Sequence, residues 1–146
     1  MPKIALLHSL FVLFSLHSVF AGDWSQFRGP TGQGHAAVKI LPLRWNATDK
    51  VIWKKELPGT AWSSPVLGGS KLFLTNAVPD GEGVSLRALR VDALTGNVDW
   101  NLELFRMETA QRIHRKNSHA SPTPFLDDDR LYVHFGNQGT ACLSLT

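Results

Sequence analysis

The chain has 146 residues, 43% of them hydrophobic and 18% charged, with a formal net charge of +3. This globular composition excludes a disordered tail, a collagen-like fibre and a coiled coil, and the small, dispersed excess of Lys and Arg leaves no nucleic-acid footprint. The single cysteine, Cys142, excludes an internal disulfide framework and a CxxC metal knuckle.

Residues 1–21 read as a secretory signal peptide. Lys3 is their only charged side chain, residues 4–20 are mostly apolar, and Ser18-Val19-Phe20-Ala21-Gly22 places small residues for cleavage after Ala21. The segment is short for a membrane span and carries His8 and His17, so the mature chain is expected to be exported, periplasmic or extracellular, with no span of its own. Residues 22–44 follow as an extended N-terminal arm. Its Gly29-Pro30-Thr31-Gly32-Gln33-Gly34 run has no helix behind it, which argues against a phosphate loop.

From residue 45 onward the chain repeats itself. Val51-Ile52-Trp53-Lys54-Lys55-Glu56-Leu57 matches Val98-Asp99-Trp100-Asn101-Leu102-Glu103-Leu104 at an offset of 47 residues. Trp62-Ser63-Ser64-Pro65-Val66 then matches His119-Ala120-Ser121-Pro122-Thr123, and Lys71-Leu72-Phe73-Leu74 matches Arg130-Leu131-Tyr132-Val133, now 59 residues apart. Each unit consists of short strands. Residues 65–67 and 71–77 flank a Gly68-Gly69-Ser70 hairpin turn, Pro79-Asp80-Gly81-Glu82-Gly83 is the next turn, and residues 84–91 form a third strand. In the following turn, Asp92-Ala93-Leu94-Thr95-Gly96-Asn97, Asp92 can accept hydrogen bonds from the amides after it and Gly96 can take the left-handed position. A fourth strand covers 98–104. Four antiparallel strands per unit is the pattern of a β-propeller blade, so the fold class expected is all-β.

The run Leu89-Arg90-Val91-Asp92-Ala93-Leu94-Thr95-Gly96-Asn97-Val98-Asp99-Trp100 resembles the repeat of quinoprotein-type (PQQ-like) propellers. Asp23-Trp24-Ser25-Gln26-Phe27-Arg28-Gly29-Pro30, Trp62-Ser63-Ser64-Pro65 and Lys116-Asn117-Ser118-His119-Ala120-Ser121-Pro122-Thr123-Pro124 are similar to a group of bacterial exported PQQ-like proteins. The resemblance implies a partial propeller over 45–146: an outer strand at 51–57, a full blade at 65–104 and an incomplete blade at 123–145. About two blades' worth of strands is fewer than a closed propeller uses. The sequence therefore reads as the N-terminal part of a longer protein, and its open strand edges are expected to drive self-association.

Candidate sites are few. Trp53 and Trp100 occupy equivalent positions and read as inter-blade packing; packing is also the reading for Trp62, although His119 replaces it in the next copy. The insertion at 105–118 is the strongest candidate for binding, because long loops on a rigid scaffold carry function. It supplies Arg112, His114, Arg115, Lys116 and Asn117, with His119 just beyond, and suits an unknown protein partner or a small anionic ligand. His114, His119 and His134 lack a ligand spacing and an accompanying carboxylate, so no metal site is assigned. Asp127-Asp128-Asp129 reads as a solvated hairpin turn rather than a calcium site, and Cys142 as a small buried residue. The function expected is a non-enzymatic scaffold or binding module with no cofactor. The alternative implied by the family likeness is part of a PQQ- and calcium-dependent dehydrogenase that oxidises alcohols or sugars.

Overall fold

The computed structural model describes residues 23–38 and 41–146; the signal peptide expected at 1–21 lies outside them. The chain is all-β, with two antiparallel sheets. The first has four strands in sequential order, β1 (Val66–Gly68), β2 (Lys71–Asp80), β3 (Gly83–Asp92) and β4 (Val98–Met107). The second has three, β5 (Phe125–Asp127), β6 (Arg130–His134) and β7 (Thr140–Ser144). Among the described residues the only helical element is a 3-10 turn at Gly136–Gln138, and no helix is long and apolar enough to cross a membrane.

Local chemistry sets the turns. Gly69 and Asp128 hold equivalent places in the β1–β2 and β5–β6 hairpins, and both have positive φ (59° and 48°). Aspartate is one of the few side chains that tolerates that conformation, so the Asp127-Asp128-Asp129 run serves as a hairpin turn. The β2–β3 turn is tighter than the sequence suggests. The ladder runs out to Asp80↔Gly83, leaving two residues at the tip, with Gly81 at φ 61°. β4 is likewise longer than expected, since it pairs with β3 as far as Val84↔Met107.

The turn between β3 and β4 forms as its residues dictate. The Asp92 carboxylate accepts from the Leu94 amide (3.1 Å), the Thr95 amide (2.9 Å) and the Thr95 hydroxyl (3.0 Å), while Gly96 sits at φ 73°. Lys71 Nζ lies 3.0 Å from Asp92 and 2.9 Å from Asp99, and Arg90 Nε is 2.9 Å from Asp99. Lys71, then Thr95, holds the Asp92 carboxyl down at about 2, and Lys71, then Arg90, lowers that of Asp99. A carboxylate whose folded pKa is depressed stabilises the fold above its ordinary range and loses that contribution as pH falls through the folded value. The melting temperature is therefore expected to hold down to about pH 4 and to drop between about pH 4 and pH 2. Asp92→Asn/Asp99→Asn should show a visibly shallower drop over that window. Superimposable acid profiles for the two proteins would refute the role given to this cluster.

The core lies between the sheets. Val66, Phe73, Ala77, Val84, Leu86 and Ala88 on one face of the first sheet form a continuous buried cluster with Leu126, Leu131, Val133 and Phe135 of the second. Burying each of the Val, Leu and Phe side chains contributes about 1.5–3 kcal/mol. The opposite face of the first sheet carries Leu72, Leu74 and Val91, which share an apolar crevice with Trp53 and Leu57. Trp53 and Leu57 thus rest half-buried on that face, while Val51, Ile52, Lys54 and Glu56 are exposed. Residues 51–57 join no ladder among the described residues.

The arm is not simply extended. Residues 26–34 fold into successive turns, with Gly29 N donating to Gln26 O (3.0 Å), Gly32 N to Gly29 O (2.9 Å) and Gly34 N to Arg28 O (2.8 Å). Just before them, Trp24 pairs with Leu67 on the inner edge of β1, and Ser25 O accepts from Leu126 N of β5 at 2.8 Å. The arm therefore covers the inner edges of both sheets. Sequence reading missed this, because pairing partners so distant leave no local signal.

Candidate functional site

The connection from β4 to β5 stands over the seam between the two sheets. Its first part is pinned where Ala110 N donates to Glu82 O (2.7 Å) at the tip of the β2–β3 hairpin. Its last part is a compact knot of hydroxyls and one amide. Asn117 Oδ1 accepts from Ser118 N (3.1 Å) and from the Ser121 hydroxyl; Ser118 N also donates to Ser121 Oγ (3.0 Å), and Ser118 Oγ accepts from Ala120 N (3.1 Å). Ser118 and Ala120 are buried, so the knot anchors the loop by satisfying its own backbone.

Between these anchors the loop faces solvent. Arg112, His114, Arg115 and Lys116 are all exposed, and Arg112, Ile113, His114 and Arg115 frame an open depression of about 530 Å³. The His114 ring does not hang free, since its Nδ1 accepts from Lys116 N at 3.2 Å. His119 is half-buried on the other side of the loop, and His134 is tied to Thr140 Oγ1 at 2.9 Å. The six residues singled out from the sequence therefore divide. Arg112, His114, Arg115 and Lys116 form a cationic crest, whereas Asn117 and His119 turn toward a cleft beneath it. Among the described residues no three His, Cys, Asp or Glu side chains converge on one point.

That cleft measures about 250 Å³. Leu86, Ile113, Pro122 and Phe135 give it an apolar lining, and Phe105 meets Phe135 edge-on with centroids 5.9 Å apart. Its opposite wall comes from the turn after β6, which sequence reading did not single out. There Gln138 Nε2 donates to Asn137 Oδ1 (3.3 Å), and Asn137 Nδ2 donates across the cleft to Gln111 Oε1 (3.0 Å). The available signal was Phe135-Gly136-Asn137-Gln138-Gly139. Two glycines bracket two amides, and both take positive φ (58° and 128°).

Two other expectations are corrected here. Cys142 is exposed on β7, since alternate residues of that strand face solvent. Trp62 is 61% exposed instead of packed, although its amide donates to Ala120 O at 3.2 Å. Trp53 and Trp100 do pack. The indole of Trp53 donates to Ala93 O (2.9 Å), and Trp100 lies against Phe73 with centroids 6.2 Å apart.

No protein-family model, no curated protein and no solved structure matches this chain.

Proposed function

We propose that the chain is a non-enzymatic binding module of the exported space, built on PQQ-like propeller repeats, and that the loop after β4 is its binding element. The observation that carries this reading is the cationic crest, held out from a rigid two-sheet body by anchors at both ends. Such a loop pays little ordering cost when it meets a partner. The repeat reading is supported by the way residues 51–57, the first sheet and the second sheet stack in succession. It is supported too by the Asp92–Gly96 turn seated under Trp53. The ligand class that fits the crest is an anion, either a small one or an acidic patch on a protein.

Calorimetric titration of the full chain with pyrophosphate tests this. Saturable binding is expected at low salt, with most of it lost at about 1 M salt, where the Debye length is about 3 Å. The triple substitution Arg112→Gln/Arg115→Gln/Lys116→Gln should abolish it while leaving the far-ultraviolet spectrum intact. Salt-independent binding, or full binding by the triple variant, would remove the crest from the site. PQQ is itself a polycarboxylate and is expected to behave as one more anion, with no added affinity from calcium. A calcium-dependent one-to-one PQQ complex would turn the reading to a quinoprotein dehydrogenase.

A further inference from the structure

The loop after β4 has two chemically different sides, and they meet at Ile113. That side chain lines both the 250 Å³ cleft and the open depression before Arg112, His114 and Arg115. No Asp, Glu, Lys or Arg lines the cleft. An ion placed there would be desolvated without a counter-charge. Its polar side chains are amides, hydroxyls and the His119 imidazole. The amide chain Gln138–Asn137–Gln111 engages Gln111 Oε1 and Gln138 Nε2 once each, leaving Gln111 Nε2 to donate and Gln138 Oε1 to accept. Asn117 spends its oxygen on the loop knot and retains its amide N–H donors. Neutral donors and acceptors beside an apolar floor suit hydroxyl groups, each of which both donates and accepts. The volume lies below the roughly 300–1,000 Å³ usual for drug-sized ligands, so it takes one ring and not an extended cofactor.

We propose that this junction binds an acidic oligosaccharide: one uncharged sugar ring in the amide-lined cleft, and a carboxylate or sulfate of the adjoining unit on Arg112 and Arg115. The proposal rests on the reading of the chain as a binding module and names its ligand class. Arginine suits the second contact because its planar fork matches a carboxylate or sulfate.

The full chain is titrated by calorimetry with three probes: an oligosaccharide of alternating uronate and N-acetylhexosamine units, a neutral oligosaccharide of equal length, and pyrophosphate. The alternating oligosaccharide is expected to bind roughly tenfold more tightly than either of the others, because it alone can use both sides of the loop. Gln111→Ala and Gln138→Ala, both near the surface, should each weaken it about fivefold and leave pyrophosphate binding unchanged. Arg112→Gln/Arg115→Gln should reduce it to the affinity and salt-independence of the neutral oligosaccharide. Pyrophosphate binding as tightly as the acidic oligosaccharide, or indifference of that oligosaccharide to Gln111→Ala, overturns the cleft's role while the crest stands. Failure of all three probes to bind overturns both the ligand class and the binding-module reading.

Discussion

Gly96→Ala is expected to lower the melting temperature by roughly 10 °C, the shift given by about 3 kcal/mol in a chain of this size. Two costs combine. Gly96 sits at φ 73°, where an L side chain is strained, and a Cβ there would lie 2.7 Å from two ring atoms of Trp53. The substitution Gly96→Asn separates them, because asparagine tolerates positive φ but still brings a Cβ. It should recover only part of the loss. In the Gly96→Ala/Trp53→Ala double variant the clash is gone, so the two losses should add to clearly less than their sum. Strict additivity in thermal melts would mean that Trp53 does not rest on this turn.

The second large effect is self-association through β7. Two strands have open outer edges among the described residues, β4 and β7, and they differ sharply. β4 is broken by register shifts opposite Leu86/Arg87 and Arg90/Val91, and it carries Asp99, Glu103 and Arg106. Bulges and charges of this kind blunt an edge. β7, Thr140-Ala141-Cys142-Leu143-Ser144, pairs with β6 without a shift and holds no charge and no proline. Leu145 N bonds Asp129 O, so strand alternation turns the amides of Thr140, Cys142 and Ser144 outward. Residues 51–57 of a second copy are the expected occupant, since they join no ladder and expose Ile52 to 87%. Light scattering behind size exclusion, with a thiol reductant because Cys142 is exposed, should show mass rising with concentration. Cys142→Pro removes an outward amide without costing β6 a bond and should return the monomer. A wild-type chain that stays monomeric across the series sinks the prediction.

What the sequence disclosed follows the range of the forces involved. The Asp92–Gly96 turn and both Gly/Asp hairpins were legible because a carboxylate and its neighbouring amides settle them within a few residues. Strand ends were less so: β3 gained Gly83 and Asp92 by pairing with β2, and β4 ran on to Met107 opposite Val84 of β3. The outer strand at 51–57 was expected without an inner neighbour; those residues join no ladder, and Trp53 holds to the turn after β3. The loop was found from its charge, and that disclosed only its crest. The cleft depends on Gln111 meeting Asn137, and neither amide stands out until the turn after β6 brings them within 3.0 Å.

The pairing of Trp24 with Leu67 and of Ser25 with Leu126 bears on the order of events during folding. Ser25 and Leu126 lie about 100 positions apart, so the entropy of closing that loop must be met before the contact gives anything back. The β2–β3 hairpin closes on two residues and has no such barrier. The kinetic sequence expected is hairpins first, sheet stacking next and arm docking last. A chain lengthening from its N-terminus during synthesis presents its arm well before β5 exists to receive it. Docking of the arm is then expected to be the slowest phase of refolding.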